Sequence, residues 1–542
     1  MEKVAQKAST CRIVLVIVGL LSLLGGAVAV YGTAKGPWGY SDSVAYIVSA
    51  RNLLKGIGLG YYYPSGRFYV LTHYPPFYPL VLAGIGLFHV DLVAATRWLS
   101  IILFAATLLG AGWVFIRYSS SPWLAILACI LIGIFPTTLT MFSSSMSEPL
   151  FVFLLLLCGF SLVGYLRSDN YRWLFLSAVV TGLLPLTRYI GVAIAFAAAV
   201  SILLFVPGTW KARIKKAALF GLIASLLITL WMVWVYFSVD RSLAGRGFQM
   251  DWDSLSIRFM EFRAVFLNTV WVWMPYGKYL ISLRSRLRTM LLALAVVGAA
   301  VVTLLAGRRV RKRDLQAGIS GDLQIFGVFG LSSLAYVGAL ALTYLFTQPA
   351  PDIDDRMLLP VYVGVVMSML GAFSCWRNAW FQNRKRWLTI IPWLAAAVFV
   401  YWYYPGSLWV VRYYHLGWGF TTYSWRNSET IQAVRDLPDN LPIVSDNAVA
   451  ILLWADRPAY ELKDSLRPYF INQSTPYGSD TTDEAQKAFR EYGAALVTFR
   501  GQLGIQLEQA FGEKGLARLD SLFDGLVVGG QYTDGAIYFY PK

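Results

Sequence analysis

Apolar residues along this chain gather into long runs broken by short polar stretches. A helix needs about 20 mostly apolar residues to cross a bilayer. Such runs lie at 13–30, 98–116, 123–141, 150–166, 173–186, 190–206, 217–237, 289–306, 325–346, 358–375 and 388–404. The pattern predicts about eleven transmembrane helices. The first run follows Lys3, Lys7 and Arg12 and is longer than the apolar core of a signal peptide, so it reads as an uncleaved span.

Three of the intervening segments are long. Residues 31–97 are too polar at their start to span and too apolar later to be a free loop. Within them, 41–54 predicts a short interfacial helix, capped by Ser41 or Asp42 and ended by Gly56, Gly58 and Gly60. The Pro-led stretch 75–88 predicts a second interfacial or re-entrant helix. Residues 240–288, rich in Arg, Trp and Phe, predict an amphipathic helix near the headgroups. The tail, 405–542, changes character. Strands at 441–445, 494–499 and 536–540 alternate with helices at 447–454, 482–492 and 505–512, which predicts a small α/β domain. The domain reading is therefore a membrane domain over 1–404 and a second domain over 405–542.

Composition agrees with lipid solvation. Hydrophobic residues are 57% of the chain and charged residues 14%, with mean hydropathy +0.55. A soluble domain carries about 25% charge. The net charge of +16 does not point to nucleic acid, because the basic residues concentrate in loops between apolar runs. Lys211, Arg213, Lys215 and Lys216 form one cluster. Arg308, Arg309, Arg311, Lys312 and Arg313 form another, and Arg384, Lys385 and Arg386 a third. Eleven spans put all three on the side of the N-terminus, which the positive-inside rule makes cytoplasmic. The tail and the 31–97 loop then lie outside the cytoplasm, at a cell (inner) membrane. Cys11, Cys129, Cys158 and Cys375 lie in or beside apolar runs and imply neither a disulfide framework nor a metal cage.

Candidate chemistry collects in the external loops. Asp42, in Gly39-Tyr40-Ser41-Asp42-Ser43, stands just outside the first span, where a carboxylate can act as a general base or merely cap a helix. His73 and Tyr74 precede Pro75-Pro76-Phe77-Tyr78-Pro79. His73 can donate to a phosphate, bind a metal, or simply be a polar group at the interface. Glu148, in Ser147-Glu148-Pro149-Leu150, can orient a substrate hydroxyl, help hold a metal, or start a helix. Arg188, in Leu186-Thr187-Arg188-Tyr189-Ile190-Gly191, lies between two apolar runs, where an unpaired cation is expensive. It reads as a phosphate ligand, with snorkelling to the headgroups as the alternative. Arg356 follows Asp352-Ile353-Asp354-Asp355 and reads as a second phosphate ligand. The acids read as a solvated loop with an internal salt bridge.

In this order the Asp42 segment, His73-Tyr74-Pro75-Pro76, Ser147-Glu148-Pro149-Leu150, Leu186-Thr187-Arg188-Tyr189 and Asp355-Arg356-Met357 resemble the GT-C superfamily of polyprenyl-phosphate-sugar-dependent glycosyltransferases. The protein O-mannosyltransferase and lipid A aminoarabinose transferase branch is the nearer likeness. The resemblance covers most of the chain. It implies an α-helical polytopic membrane protein with a small C-terminal extracytoplasmic α/β domain. It also implies an inverting transfer from a polyprenyl-phosphate-linked sugar donor to an acceptor hydroxyl on a protein, lipid or glycan. Asp42 would be the base, Arg188, Arg356 and His73 donor-phosphate ligands, and Tyr40, Tyr74 and Glu148 substrate-positioning residues. Ser43 stands where many relatives carry a second acid, and Tyr74 where aminoarabinose-type enzymes carry Lys. These departures leave a divalent metal (through Asp42 or Glu148) and the acceptor open. Two rival readings are a flippase of lipid-linked sugars and a non-catalytic membrane scaffold. Against the flippase stand span centres nearly free of charge, since transporters place ionisable groups at mid-membrane.

Overall fold

The computed structural model describes residues 2–62, 67–238, 247–248, 252–275, 285–313, 320–348, 350–380, 390–462, 493–500, 523 and 525–539. In chain order the first helices are α1 (Glu2–Gly32), α2 (Ser41–Leu54), α3 (Phe77–Gly86), α4 (Leu92–Tyr118), α5 (Leu124–Ile134) and α6 (Pro136–Phe142). Then come α7 (Glu148–Ser168), α8 (Tyr171–Thr187), α9 (Gly191–Phe205), α10 (Trp210–Ser238) and α11 (Trp252–Trp273). The set ends with α12 (Ser285–Arg313), α13 (Gly321–Phe346), α14 (Asp355–Trp380), α15 (Ile391–His415), α16 (Glu429–Arg435) and α17 (Ala448–Trp454).

Among the described residues each of the eleven apolar runs coincides with a helix or, at 123–141, a bent helix pair. Among the described residues eight helices are long and apolar enough to cross a membrane, and the bent pair α5–α6 makes a ninth. α8 and α9 are apolar but shorter. The run at 123–141, expected as one straight span, is broken by 71°. The cause is local. Phe135 precedes Pro136 and takes extended angles (φ −68°, ψ 125°), because the proline ring disfavours a helical residue before it. Leu23 on α1 and Leu222 on α10 are each 70% exposed. Rows of outward leucines of this kind fit a lipid surface and not water. The protein is an α-helical polytopic membrane protein.

The chain forms two compact units. The first comprises Met1–Gly32, Thr72–Tyr78 and Trp98–Tyr413. In it α13 packs on α14 and α9, and α8 on α7 and α10. A buried polar knot ties three helix ends together. The Asp322 carboxylate accepts the Ser119 hydroxyl (2.6 Å), the Ser120 N–H (3.3 Å) and the Asn378 amide (3.3 Å). The sequence reading did not single out this knot, in which Asp322 meets Ser119 across 203 residues and Asn378 across 56. α11 is the helix expected within 240–288. The third basic cluster, 384–386, and the predicted tail helices at 482–492 and 505–512 lie outside the described residues.

The second unit comprises Thr33–Leu71, Pro79–Arg97 and Tyr414–Lys542. Its α2 has the predicted bounds, but its cap residue is Tyr40, with Ser41 and Asp42 already in the first turn. The Ser43 hydroxyl accepts the Tyr40 N–H at 3.0 Å, which gives an orphan helix-start donor a partner. After Leu54 the chain turns through Gly56 (φ +74°) into an unpredicted hairpin of β1 (Gly60–Tyr62) and β2 (Phe68–Val70). Residues 35–39 lie against 420–423: Tyr423 N–H donates to Lys35 and Phe420 N–H to Gly39. Gly36 (φ +105°) is needed there, since a Cβ would stand 2.9 Å from the Thr421 carbonyl oxygen.

Two two-residue strands, β3 (Gly247–Phe248) and β4 (Thr347–Gln348), pair within the first unit. The tail holds a five-stranded mixed sheet of β5 (Ile443–Ser445), β6 (Tyr460–Glu461), β7 (Ala495–Phe499), β8 (Val527–Gln531) and β9 (Gly535–Phe539), in the order β6-β5-β7-β9-β8. β6, β5 and β7 run parallel, whereas β9 and β8 are antiparallel. β5, β7, β9 and α17 correspond to predicted elements; β6, β8 and α16 were not predicted. Arg457 fastens the turn after α16, donating to the carbonyls of Val434, Leu437, Pro438 and Leu441 at 2.7–3.1 Å.

Asp446, buried after β5, accepts the Phe499 N–H. Burial pushes its carboxyl up to about 7, against the lowering effect of that hydrogen bond. An acid with a higher pKa folded than unfolded contributes stability below its unfolded value, and loses it as pH rises through the folded one. Asp446→Asn is therefore expected to unfold at a higher temperature than wild type at about pH 8 and to converge with it below about pH 4. Identical pH slopes in the two proteins would contradict this assignment.

Candidate functional site

The first unit brings three of the candidate residues together. Glu148 opens α7, followed by Pro149, and its side chain is 1% exposed. A carboxylate at a helix start is favoured by the macrodipole, but at this burial it also needs cations. Two arrive from distant segments. Arg188 forms an ion pair with Glu148 Oε1, and Arg356 Nε lies 3.4 Å from the same oxygen. The two arginine side chains remain 15% and 24% exposed.

Each arginine is held by its own corner. Arg188 ends α8 in an extended conformation (φ −149°, ψ 127°), its N–H donating to Leu184. Gly191 then starts α9 against the Leu184–Pro185 backbone, where a Cβ would have no room. The corner is tight because only hydrogen fits at that approach. Tyr189 points elsewhere: its hydroxyl donates to the Thr72 carbonyl (2.8 Å) and receives the Trp231 indole N–H (3.1 Å). This bond fastens the His73–Tyr74 strip, where His73 is exposed and its ring meets Tyr74 edge-on at 4.8 Å. Arg356 sits in the first turn of α14. Asp354 accepts the Met357 N–H (2.8 Å) and lies 3.7 Å from the Arg356 guanidinium, the internal salt bridge expected of this loop.

Sequence reading missed the residues that brace α14. Tyr336, fully buried on α13, donates to the Met357 carbonyl at 2.8 Å and lies within the field of Glu148, Arg188 and Arg356. The Trp273 indole donates to Asp355 (3.3 Å), and Phe135 stacks on Tyr362 with ring centroids 3.8 Å apart. Phe135, Tyr336 and Tyr362 come from separate apolar runs and Trp273 from the 240–288 segment, and no spacing rule links them. A Tyr in mid-span was the one available signal, since a buried phenol requires a hydrogen-bond partner.

The remaining candidates, Tyr40 and Asp42, stand at the start of α2 in the second unit, both half-buried. Among the described residues no group of three or more His, Cys, Asp and Glu side chains is arranged to hold a metal ion. Glu148 is already engaged by two cations, which makes its carboxylate a poor metal ligand.

Within the first unit, then, two partly exposed arginines share one buried carboxylate. Such a pair can receive a phosphate through charge-assisted, two-pronged hydrogen bonds.

No protein-family model matches the sequence, and no curated protein is similar to it. Solved structures do share its architecture. ArnT from Cupriavidus metallidurans, bound to undecaprenyl phosphate, matches with a TM-score of 0.56 at 10% identity, over 96% of this chain and 97% of that one. The oligosaccharyltransferase AglB from Archaeoglobus fulgidus, in complex with an inhibitory peptide and a dolichol-phosphate, matches with a TM-score of 0.50 at 13% identity, over 99% and 75%. The arabinofuranosyltransferase AftD from Mycobacteria matches with a TM-score of 0.52 at 12% identity, over 97% of this chain and 41% of that one. At these identities the likeness carries the architecture: the chain has the GT-C fold.

Proposed function

We propose that this protein is a membrane glycosyltransferase that moves a sugar from a polyprenyl-phosphate carrier to an acceptor hydroxyl, with inversion at the anomeric carbon. The observation that carries the reading is the Glu148 clamp, which holds two partly exposed arginines, Arg188 and Arg356, on one carboxylate. The fold adds support, because ArnT with this fold binds undecaprenyl phosphate and AglB a dolichol-phosphate.

On this reading the carrier phosphate docks on Arg188 and Arg356, with His73 assisting. Glu148 is the counter-ion that keeps the two guanidiniums close before the phosphate arrives. In the transfer, the acceptor oxygen forms a bond to the anomeric carbon as the bond from that carbon to the phosphate oxygen breaks. The bonding pair leaves on the phosphate, where the guanidiniums stabilise the charge. Asp42 takes the acceptor proton. Tyr40 and Tyr74 pack on the sugar. The reaction takes place at the extracytoplasmic face, the N-terminus is cytoplasmic, and the 405–542 domain helps choose the acceptor, a protein, lipid or glycan.

The test uses the full chain in nanodiscs with a panel of radiolabelled polyprenyl-phosphate sugars and a membrane and cell-wall extract as acceptor source. Label is expected to move from one donor into the extract while free polyprenyl phosphate accumulates. Transfer from nucleotide sugars instead, with none from any lipid donor, would overturn the reading.

A further inference from the structure

A second cation-rich site lies wholly within the second unit. A cavity of about 720 Å³ opens between the end of α2, residues 90–93 and the segment 426–456. Four cations line it: Arg51, Lys55, Arg426 and Arg435, facing two carboxylates, Asp91 and Asp456. Arg51 and Lys55 both pair with Asp456, Arg51 at 3.0 Å, and Arg426 pairs with Asp91 at 2.8 Å. Arg435 donates to the Trp454 carbonyl, and the Arg426 guanidinium lies 5.5 Å from the Trp454 ring. The lining therefore holds two more positive charges than negative ones.

The geometry of Asp456 is unusual. It has φ +59°, a left-handed conformation that costs an L residue energy, and it places the carboxylate between Arg51 and Lys55. Burial raises its pKa, but the Lys55 and Arg51 interactions outweigh that and hold it below the ordinary value. One rim of the cavity is apolar. Leu54 and Val90 line it and are exposed, and the adjoining Leu87 and Phe88 are 70% and 81% exposed. A soluble ligand has no use for such a rim, whereas a lipid places a charged headgroup beside an acyl chain.

We propose that this cavity binds the phosphate headgroup of a membrane lipid, with Arg51, Lys55 and Arg426 on the phosphate and the acyl chain leaving across Leu54, Val90, Leu87 and Phe88. Asp456 and Asp91 hold the cations apart while the site is empty and give them up to the phosphate. The ligand chemistry is a phosphate ester on an amphiphile. The site is separate from the transfer reaction proposed above, so either can fail without the other.

The experiment is native mass spectrometry of the full chain in detergent, titrated with phosphatidylglycerol or with phosphatidylcholine of the same acyl chains. Wild type is expected to retain one phosphatidylglycerol in preference to phosphatidylcholine. The Lys55→Gln/Arg426→Gln variant should weaken that preference on the order of a hundredfold, the scale of two lost charge-assisted contacts. Asp456→Asn removes the competing carboxylate and should strengthen retention, a gain that misfolding cannot produce. An unchanged preference in the double Gln variant would overturn the proposal, since it would assign lipid retention to the basic clusters elsewhere. Displacement of the lipid by millimolar glycerol phosphate would also overturn it, by showing that a soluble phosphate suffices.

Discussion

Asp42→Asn is expected to bind the lipid-linked donor as wild type does and to fail to transfer the sugar. Asn keeps the shape and the first-turn position in α2 but cannot take a proton. A positioned general base contributes roughly 10²–10⁴-fold, so turnover should fall by that factor with little change in donor affinity. The measurement is release of radiolabelled sugar from the donor, paired with donor binding on the same preparation. Ser43 sharpens the prediction. The next residue is a hydroxyl and not a second acid, so it cannot take the place of Asp42 as base. Equal turnover in both proteins would remove Asp42 from the mechanism.

The second large effect belongs to the clamp. Glu148→Gln leaves two guanidiniums without the buried carboxylate between them, and breaking such a pair costs about 3–5 kcal/mol. A lower unfolding temperature is expected, together with weaker donor binding as Arg188 and Arg356 separate. Arg188→Gln and Arg356→Gln act differently. Each removes one stabilising cation from the leaving phosphate, and each should lower turnover by roughly 10²–10³-fold. Because both pair with one oxygen of Glu148, their effects should not add, and the double variant should lose less than the product of the single losses. Additive losses would mean that the arginines act independently of the shared carboxylate.

Much of this architecture was legible in the sequence because lipid imposes a simple rule. A chain that must satisfy its backbone internally writes its spans as long apolar runs, and among the described residues each of the eleven coincides with helix. The α2 bounds were legible for another local reason: Gly56 and Gly58 take positive φ and end the helix. The bend at Phe135 was signalled by Pro136 but was read through, since the apolar run continues across it. The paired strands β1 and β2 and the edge strands β6 and β8 were missed because each is only two to five residues long. At the site, Glu148, Arg188 and Arg356 were identified singly, as ionisable groups at the ends of apolar runs. Their sharing of one buried oxygen depends on the tight corner at Gly191 and on the brace from Tyr336 to Met357, which no local pattern contains. The Arg51–Asp456 pair joins residues 405 apart in sequence and could not be read from either segment.

The most direct measurement of the central claim is the ³¹P NMR signal of sugar-free polyprenyl phosphate added to the full chain in nanodiscs that contain phosphatidylglycerol, which fills the cavity at the end of α2. The account predicts a shifted, broadened phosphate resonance with wild type and with Asp42→Asn, and the free-lipid resonance with the Arg188→Gln/Arg356→Gln variant. The same shift in all three proteins would contradict it, because the carrier phosphate would then be bound somewhere other than the Glu148 clamp.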